Sequence, residues 1–500
     1  MNIETFFNHW QIREHPFRAE EAKDDPVYLR LMHHAVSHPD LAKIFGDPSK
    51  PDTSVVFGEK GTGKTALKLL MEERYREHNR QHPDNQVYVV RHDDLNPAID
   101  RVVRHLQLSD PDDALSAFRL QDHIDAILIR AVTDLMDLIL GEAECETLPR
   151  KRLRRLRRME KRKRIDLLML AMLYDHPPSG HTLERFRAIS KFLKMGFFSP
   201  PKQFLLILIL LGILSIGVAG GGFFFSPIVS VLHIVLPALA GLGAFLLAAW
   251  GWRKLRLLSL AKKVLMEVRV IERDRGVLSR LMGCFFRDDL TARPLPLKDE
   301  QDIRYQYVSR FVDILEEVGV NSMVVLVDRL DEPALVHGDA SRIRSLVWPM
   351  LNNKFLQQDR TGFKMLLPIE LRFLLIKEDP SFFQKARLDK QNLVERLEWS
   401  GATLYDVCSR RMQSCRPDDA EPLKLTDLFE EVTREHLVDA LDQMHQPRDA
   451  FKFMYQVIQE HCRMTPEEEP EFKIPRLILN QVLREQSFRV QSFYRGLSPG

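Results

Sequence analysis

Cysteine is scarce in this chain. Its 500 residues hold five, Cys145, Cys284, Cys408, Cys415 and Cys462. None stands in CxxC spacing or beside histidines at metal-ligand intervals, which argues against a zinc module or a disulfide framework and predicts reduced thiols facing a cytosol. An excess of one charge is also missing, with 72 Lys and Arg against 70 Asp and Glu, so net charge taken as a whole says little about partners. No secretory leader is expected at the start, because Met1 to Phe17 is polar and mixed in charge. Nothing supports a Ser or Cys nucleophile triad. The histidines are scattered, and His33, His34 and His176 read as surface or satisfied core residues. One absence is local: from Gln203 to Trp252 there is no Asp, Glu, Lys or Arg.

What is present begins with "VVFGEKGTGKTALKLL", Val55 to Leu70. Gly58, Gly63, Lys64 and Thr65 fit GxxxxGK[S/T], a phosphate-binding loop. The preceding "TSVVF" reads as a buried strand and the following "TALKLLMEERYREH" as an amphipathic helix, the strand-loop-helix setting this chemistry requires. Backbone N–H groups of Gly58, Glu59, Lys60, Gly61, Thr62, Gly63, Lys64, Thr65 and Ala66 are expected to wrap the phosphates at the positive end of the helix. Lys64 is placed on the β- and γ-phosphates, and Thr65 on Mg²⁺. The partner motif is "SMVVLVDRLDEP", with a strand over 323–328 ending in Asp328, a second Mg²⁺ ligand at the strand's carboxyl end. Arg329 stands where an acid is often found. The water-activating group is therefore sought in Asp331 or Glu332, with Asp331 favoured. No NKxD guanine-reading motif follows the fourth strand, so ATP is favoured over GTP.

Reading outward from these anchors predicts an α/β fold with a parallel sheet flanked by helices. The expected strands are Thr53 to Phe57, Gln86 to Val90, Met323 to Val327, Phe363 to Pro368 and Asn392 to Leu397. In "DIRYQYVSRFVDILEEVG" the residues Ile303, Tyr307, Phe311, Leu315 and Val318 form one apolar helical stripe. Residues 1–140 are expected to hold an N-terminal segment and the first part of the core, 301–400 its second part, and 401–500 a C-terminal helical lid. Between them 141–300 reads as an inserted helical region.

The charge-free stretch sits inside that insertion. Residues 204–225 are long enough for a helix of ~33 Å against a bilayer core of roughly 30 Å, and 228–250 make a second such run. A two-helix transmembrane hairpin is therefore expected. Lys191, Lys194 and Lys202 before it, with Arg253, Lys254 and Arg256 after it, place both flanks in the cytoplasm, making this a multi-pass protein of the inner membrane. Upstream, eleven of the fifteen residues 150–164 are Lys or Arg. Three readings stand for this run: a solvated helix face, a contact with anionic lipid headgroups, or a nucleic-acid contact without base reading.

A phosphate loop and an acidic strand separated by membrane helices resemble the KAP family of P-loop NTPases, and "VDRLDE" is similar to the acidic strand exit of that family. "HQPRDAFKFMYQVI" looks like the NPRxxxRxxN segment of KAP and related STAND or AAA-type ATPases, which by likeness makes Arg448 a nucleotide-sensing residue of the lid. The resemblance implies a membrane-attached ATPase that uses Mg²⁺ and ATP to switch assembly or partner binding, as a homo-oligomer or with a partner protein, in some members in bacterial defence against phage. The alternatives are a nucleotide-dependent scaffold that does not hydrolyse, and an ATPase activated by nucleic acid.

Overall fold

The computed structural model describes residues 1–18, 21–32, 38–142, 148–177, 180–195, 210, 212–213 and 229–494. The chain divides into two compact units, one formed by Met1–Asp94 with Ser322–Gly500 and the other by Leu95–Asn321. The second unit thus begins well before residue 141 and ends after residue 300.

The first unit is built on a five-stranded parallel sheet. Its strands are β1 (Ser54–Gly58), β2 (Gln86–His92), β3 (Val320–Val327), β4 (Thr361–Pro368) and β5 (Asn392–Val394), in the order β2-β3-β4-β1-β5. All five expected strands are there, each within a few residues of its expected ends. Both faces of the sheet are covered, so β1 and β4 are buried at every position rather than in alternation, and the one cation this buries in β4, Lys364, pairs with Asp52 at 2.7 Å. On one face Val56, Val324, Leu326 and Leu366 meet Leu67, Leu70, Met71 and Tyr75 of the Lys64–Gln81 helix. The ladder continues past β5, where the Leu397 N–H donates to the Phe57 carbonyl at 2.8 Å.

This strand order positions the site. From β1 the chain travels to the far edge at β2, returns inward through β3 and β4, and then hops over β1 to β5. The reversal leaves a crevice at the carboxyl end of β1, where open parallel sheets bind ligands. Register sets the depth of each strand end. Val327 pairs with Met365, whereas Gly58 pairs with Pro368 three residues further along β4. Asp328 therefore emerges lower than the loop after β1, and the loop must fold back over it.

The rest of the first unit is a helical layer of Gly401–Ser414, Arg434–Asp442, Pro447–Met464 and Arg476–Tyr494. Its apolar core takes in residues from the other end of the chain: Phe6, Phe7, Ile12 and Phe17 pack with Leu404, Met412, Leu441, Phe453 and Val457.

The second unit is helical, led by Leu120–Leu140, Lys161–Tyr174, Val229–Glu267 and Gln301–Glu316. The expected stripe of Ile303, Tyr307, Phe311, Leu315 and Val318 is buried throughout. Charges inside this core are paired: Arg304 meets Asp125 at 3.4 Å, and Tyr174 donates to Asp125 at 2.9 Å.

The transmembrane hairpin is corrected. Among the described residues no helix is long and apolar enough to cross a membrane. The first expected span, 204–225, lies outside the described residues apart from positions 210, 212 and 213. The second runs on without interruption as the 39-residue helix Val229–Glu267. That helix continues past its charge-free part into Arg253, Lys254 and Arg256.

Candidate functional site

Helix Lys64–Gln81 begins on Gly63, whose φ of 88° is left-handed and which supplies no side-chain cap. The first N–H groups of this helix therefore lack the side-chain acceptor that Ser, Thr, Asp or Asn would offer, and they face the carboxyl end of β1 with the positive end of the helix dipole. Gly61 has φ 103°. A Cβ there would lie 3.1 Å from the Arg448 Cβ and 3.1 Å from Gln446 Oε1. Glycine is required twice over, for the backbone angle and for the close approach of the Gln446–Arg448 turn.

The loop is braced from within. Lys64 Nζ donates to the Gly58 carbonyl at 2.7 Å and to the Glu59 carbonyl at 2.9 Å. Thr62 Oγ1 donates to the Glu59 carbonyl at 2.8 Å, and Trp399 Nε1 donates to the Thr62 carbonyl at 2.9 Å. Arg396 holds the Glu59 carboxylate at 2.7 Å.

Thr65 Oγ1 lies 3.3 Å from Asp328 Oδ2, although the two residues are 263 positions apart. This pair offers a hydroxyl and a carboxylate oxygen on one small volume, the hard donor set Mg²⁺ takes when it keeps most of its waters and the phosphates as its other ligands. Burial raises the Asp328 pKa above the ordinary carboxylate range, while Lys68, Lys64 and Arg329 act in the opposite direction. A buried carboxylate held short of full compensation favours an added cation. The Thr65 and Asp328 oxygens fit the ion that the loop motif implies.

Burial likewise lowers the Lys64 pKa, against the Asp331, Asp328 and Glu370 carboxylates; the Arg448 charge adds to the lowering. Asp331 is the strongest of the opposing charges and lines the same cavity as Lys64. Glu332 lines it too, but pairs with Arg329 at 3.5 Å. Arg329 has φ 57°, a left-handed turn just past β3. The Glu332 N–H donates to its carbonyl at 3.2 Å, and this tight turn brings Asp331 back toward the loop.

The cavity has a volume of about 810 Å³, within the range that holds drug-sized ligands. The expected residues Lys60, Gly61, Gly63, Lys64, Thr65, Ala66, Asp328, Asp331, Glu332 and Arg448 line it; Gly58, Glu59 and Thr62 stand behind them as the loop's frame. Its wall carries nine Lys or Arg against five Asp or Glu, an excess suited to a polyphosphate. The Arg448 Nε is buried with no hydrogen-bond partner among the described residues, a donor left over for a ligand.

Several residues of the site lie beyond the sequence reading. Lys68 is buried, pairs with Asp93 just past β2, and is the strongest opposing charge on Asp328. Its spacing of four from Lys64, on the same helix face, is the signal that points to it. Tyr28 donates to the Ala66 carbonyl, and Asp25 pairs with the buried Arg411 at 2.6 Å. Arg411 also packs over Phe451, 4.5 Å from the ring centroid. No local pattern announces these, because the contacts join residues from 38 to 386 positions apart. Searches of protein-family models, curated proteins and solved structures find no match to this chain.

Proposed function

We propose that the first unit binds Mg-ATP and hydrolyses it as a switch, in the manner of the KAP-like NTPases its motifs resemble. The observation that carries this reading is the 3.3 Å approach of Thr65 to Asp328. Chance gives no reason for a GKT threonine and the terminal acid of a distant strand to meet at the mouth of a cationic cavity. The loop N–H groups and Lys64 hold the phosphates, Thr65 and Asp328 hold the metal, and Arg448 contributes a charge from the helical layer. Asp331 accepts the proton of the attacking water, since Glu332 is engaged by Arg329. The bound metal neutralises phosphate charge; the side chains orient the phosphates and the water. Contacts from the Gln446–Arg448 turn to the triphosphate couple its presence to the helical layer, which alters assembly or partner binding.

The test is titration of a fluorescent ATP analogue with Mg²⁺, together with phosphate release. Lys64→Ala is expected to weaken binding roughly 10- to 100-fold, the worth of a lost charge-assisted bond. Asp328→Asn is expected to remove the Mg²⁺ dependence. Equal affinity in wild type and both variants would refute the reading. Arg329 supports a second reading, a nucleotide-dependent scaffold without turnover, because it occupies the place next to Asp328 and engages Glu332. Tight binding with no phosphate release above the Lys64→Ala background, and none changed by Asp331→Asn, would favour it.

A further inference from the structure

Helix Arg150–Arg158 of the second unit is turned so that its apolar residues face inward: Leu156 is fully buried, and Met159, just past its end, is buried as well. Arg150, Lys151, Arg154, Arg155, Arg157 and Arg158 are exposed, and Lys161 and Arg162 continue the surface on the next helix. At 100° per residue the six helical cations occupy one arc of roughly 160°, over a length of about 12 Å. None of the eight is ion-paired among the described residues. The three remaining basic residues of the run differ: Arg152 is half-buried and engaged, Lys163 pairs with Glu317 at 2.5 Å, and Arg164 donates to the Leu193 carbonyl at 3.1 Å. Structural cations and solvent-facing ones are thus separated within one short stretch.

A cluster of like charges held rigidly without counter-ions repels itself, and a fold gains nothing from keeping it so. We propose that this face binds the phosphate backbone of a nucleic acid, independently of base sequence. Guanidinium groups dominate it, and their forked donors match phosphate oxygens. The helix offers no exposed large apolar side chain, whereas a helix that lies in a lipid surface turns Trp, Phe or Leu outward to the acyl chains. Here the apolar side is already used against the second unit. A fixed double column of cations suits a ligand whose phosphates are themselves fixed in rows, as in a duplex with one charge per 1.7 Å or so of axis. No aromatic side chain stands among the cations to stack on bases, so contact is with the backbone.

The proposal does not depend on nucleotide binding at the first unit, and its readout is binding alone. Full-length protein is titrated into a fluorescein-labelled 20-base-pair DNA duplex of mixed sequence, by anisotropy, from 50 to 200 mM salt. A variant carrying Arg154→Gln, Arg155→Gln, Arg157→Gln and Arg158→Gln is compared with the matching four Arg→Lys changes. Each replaced side chain is exposed, and circular dichroism melts check that folding is kept. Wild type is expected to bind with a log-log salt slope of roughly −5 or steeper, and the Gln variant to lose about 3 to 4 units of slope and at least tenfold in affinity, while the Lys variant keeps most of the slope. Unchanged binding in the Gln variant would overturn the proposal. So would absence of duplex binding by the wild type, or binding of vesicles of three parts phosphatidylcholine to one part phosphatidylglycerol at protein concentrations where the duplex stays free.

Discussion

Asp328 shows how one buried side chain can serve function at the expense of stability. Burial pushes its pKa above the ordinary carboxylate value that holds in the unfolded chain. In the window between those two values the folded state binds more protons than the unfolded one, so stability falls as pH rises through it. At neutral pH the ionised carboxylate is a standing cost in the nucleotide-free protein. Asp328→Asn is therefore expected to raise the melting temperature of the free protein at pH 7, by a few degrees at most, and to abolish the further rise expected from Mg-ATP in wild type on the proposed function. A calorimetric melt with and without ligand checks both; a lowered melting temperature of the free variant would count against the burial account. The acid limb of Mg-ATP affinity follows from the same shift. Affinity is expected to drop at a higher pH than an unperturbed aspartate would give, because the proton competes with the metal. Lys64, lowered by burial, places the opposite limb below the usual lysine range.

At the scale of elements, the sheet was legible because its strands are mostly apolar runs bounded by turn residues, and the Lys64–Gln81 helix because apolar residues recur at helical spacing after a glycine-rich loop. The second expected span was misread for a physical reason. Hydropathy registers how apolar a segment is, and a long charge-free stretch meets the length criterion for a membrane span, but it does not register where the helix that contains it ends. The helix Val229–Glu267 carries its apolar part and its cations in one continuous element. Close packing between elements was equally invisible. A Cβ on Gly401 would lie 2.2 Å from the Val438 carbonyl and 2.8 Å from the Asp442 Cβ, where helix Gly401–Ser414 starts against helix Arg434–Asp442. Gly401→Ala is expected to force these helices apart and cost about 1–3 kcal/mol. Chemical denaturation measures it, and a variant as stable as wild type would show that the junction yields freely.

At the scale of the molecule, the first unit is discontinuous: the chain enters it twice, and its two ends meet in one apolar core. Phe6 is fully buried there, 5.5 Å from the His461 ring and edge-on to it. Phe6→Ala is expected to destabilise the first unit by about 3–5 kcal/mol and to increase hydrogen exchange in Gly401–Ser414 and Pro447–Met464 rather than in β1. Exchange that rises only in residues 1–18 would mean that the N-terminal segment is an ornament on a helical layer stable without it. By its order of residues alone the chain determined the strand composition of the sheet, the phosphate loop and the acid that ends β3, because period, turn chemistry and motif are local and need only neighbouring residues. Tertiary structure decided which residues complete the site. Trp399, Tyr28 and the Asp25–Arg411 pair enter it through contacts between separate segments, and the inward turn of Leu156 settles which cations of the basic run face solvent. Those outcomes depend on which surfaces bury one another, a property of the packed whole that no window of sequence contains.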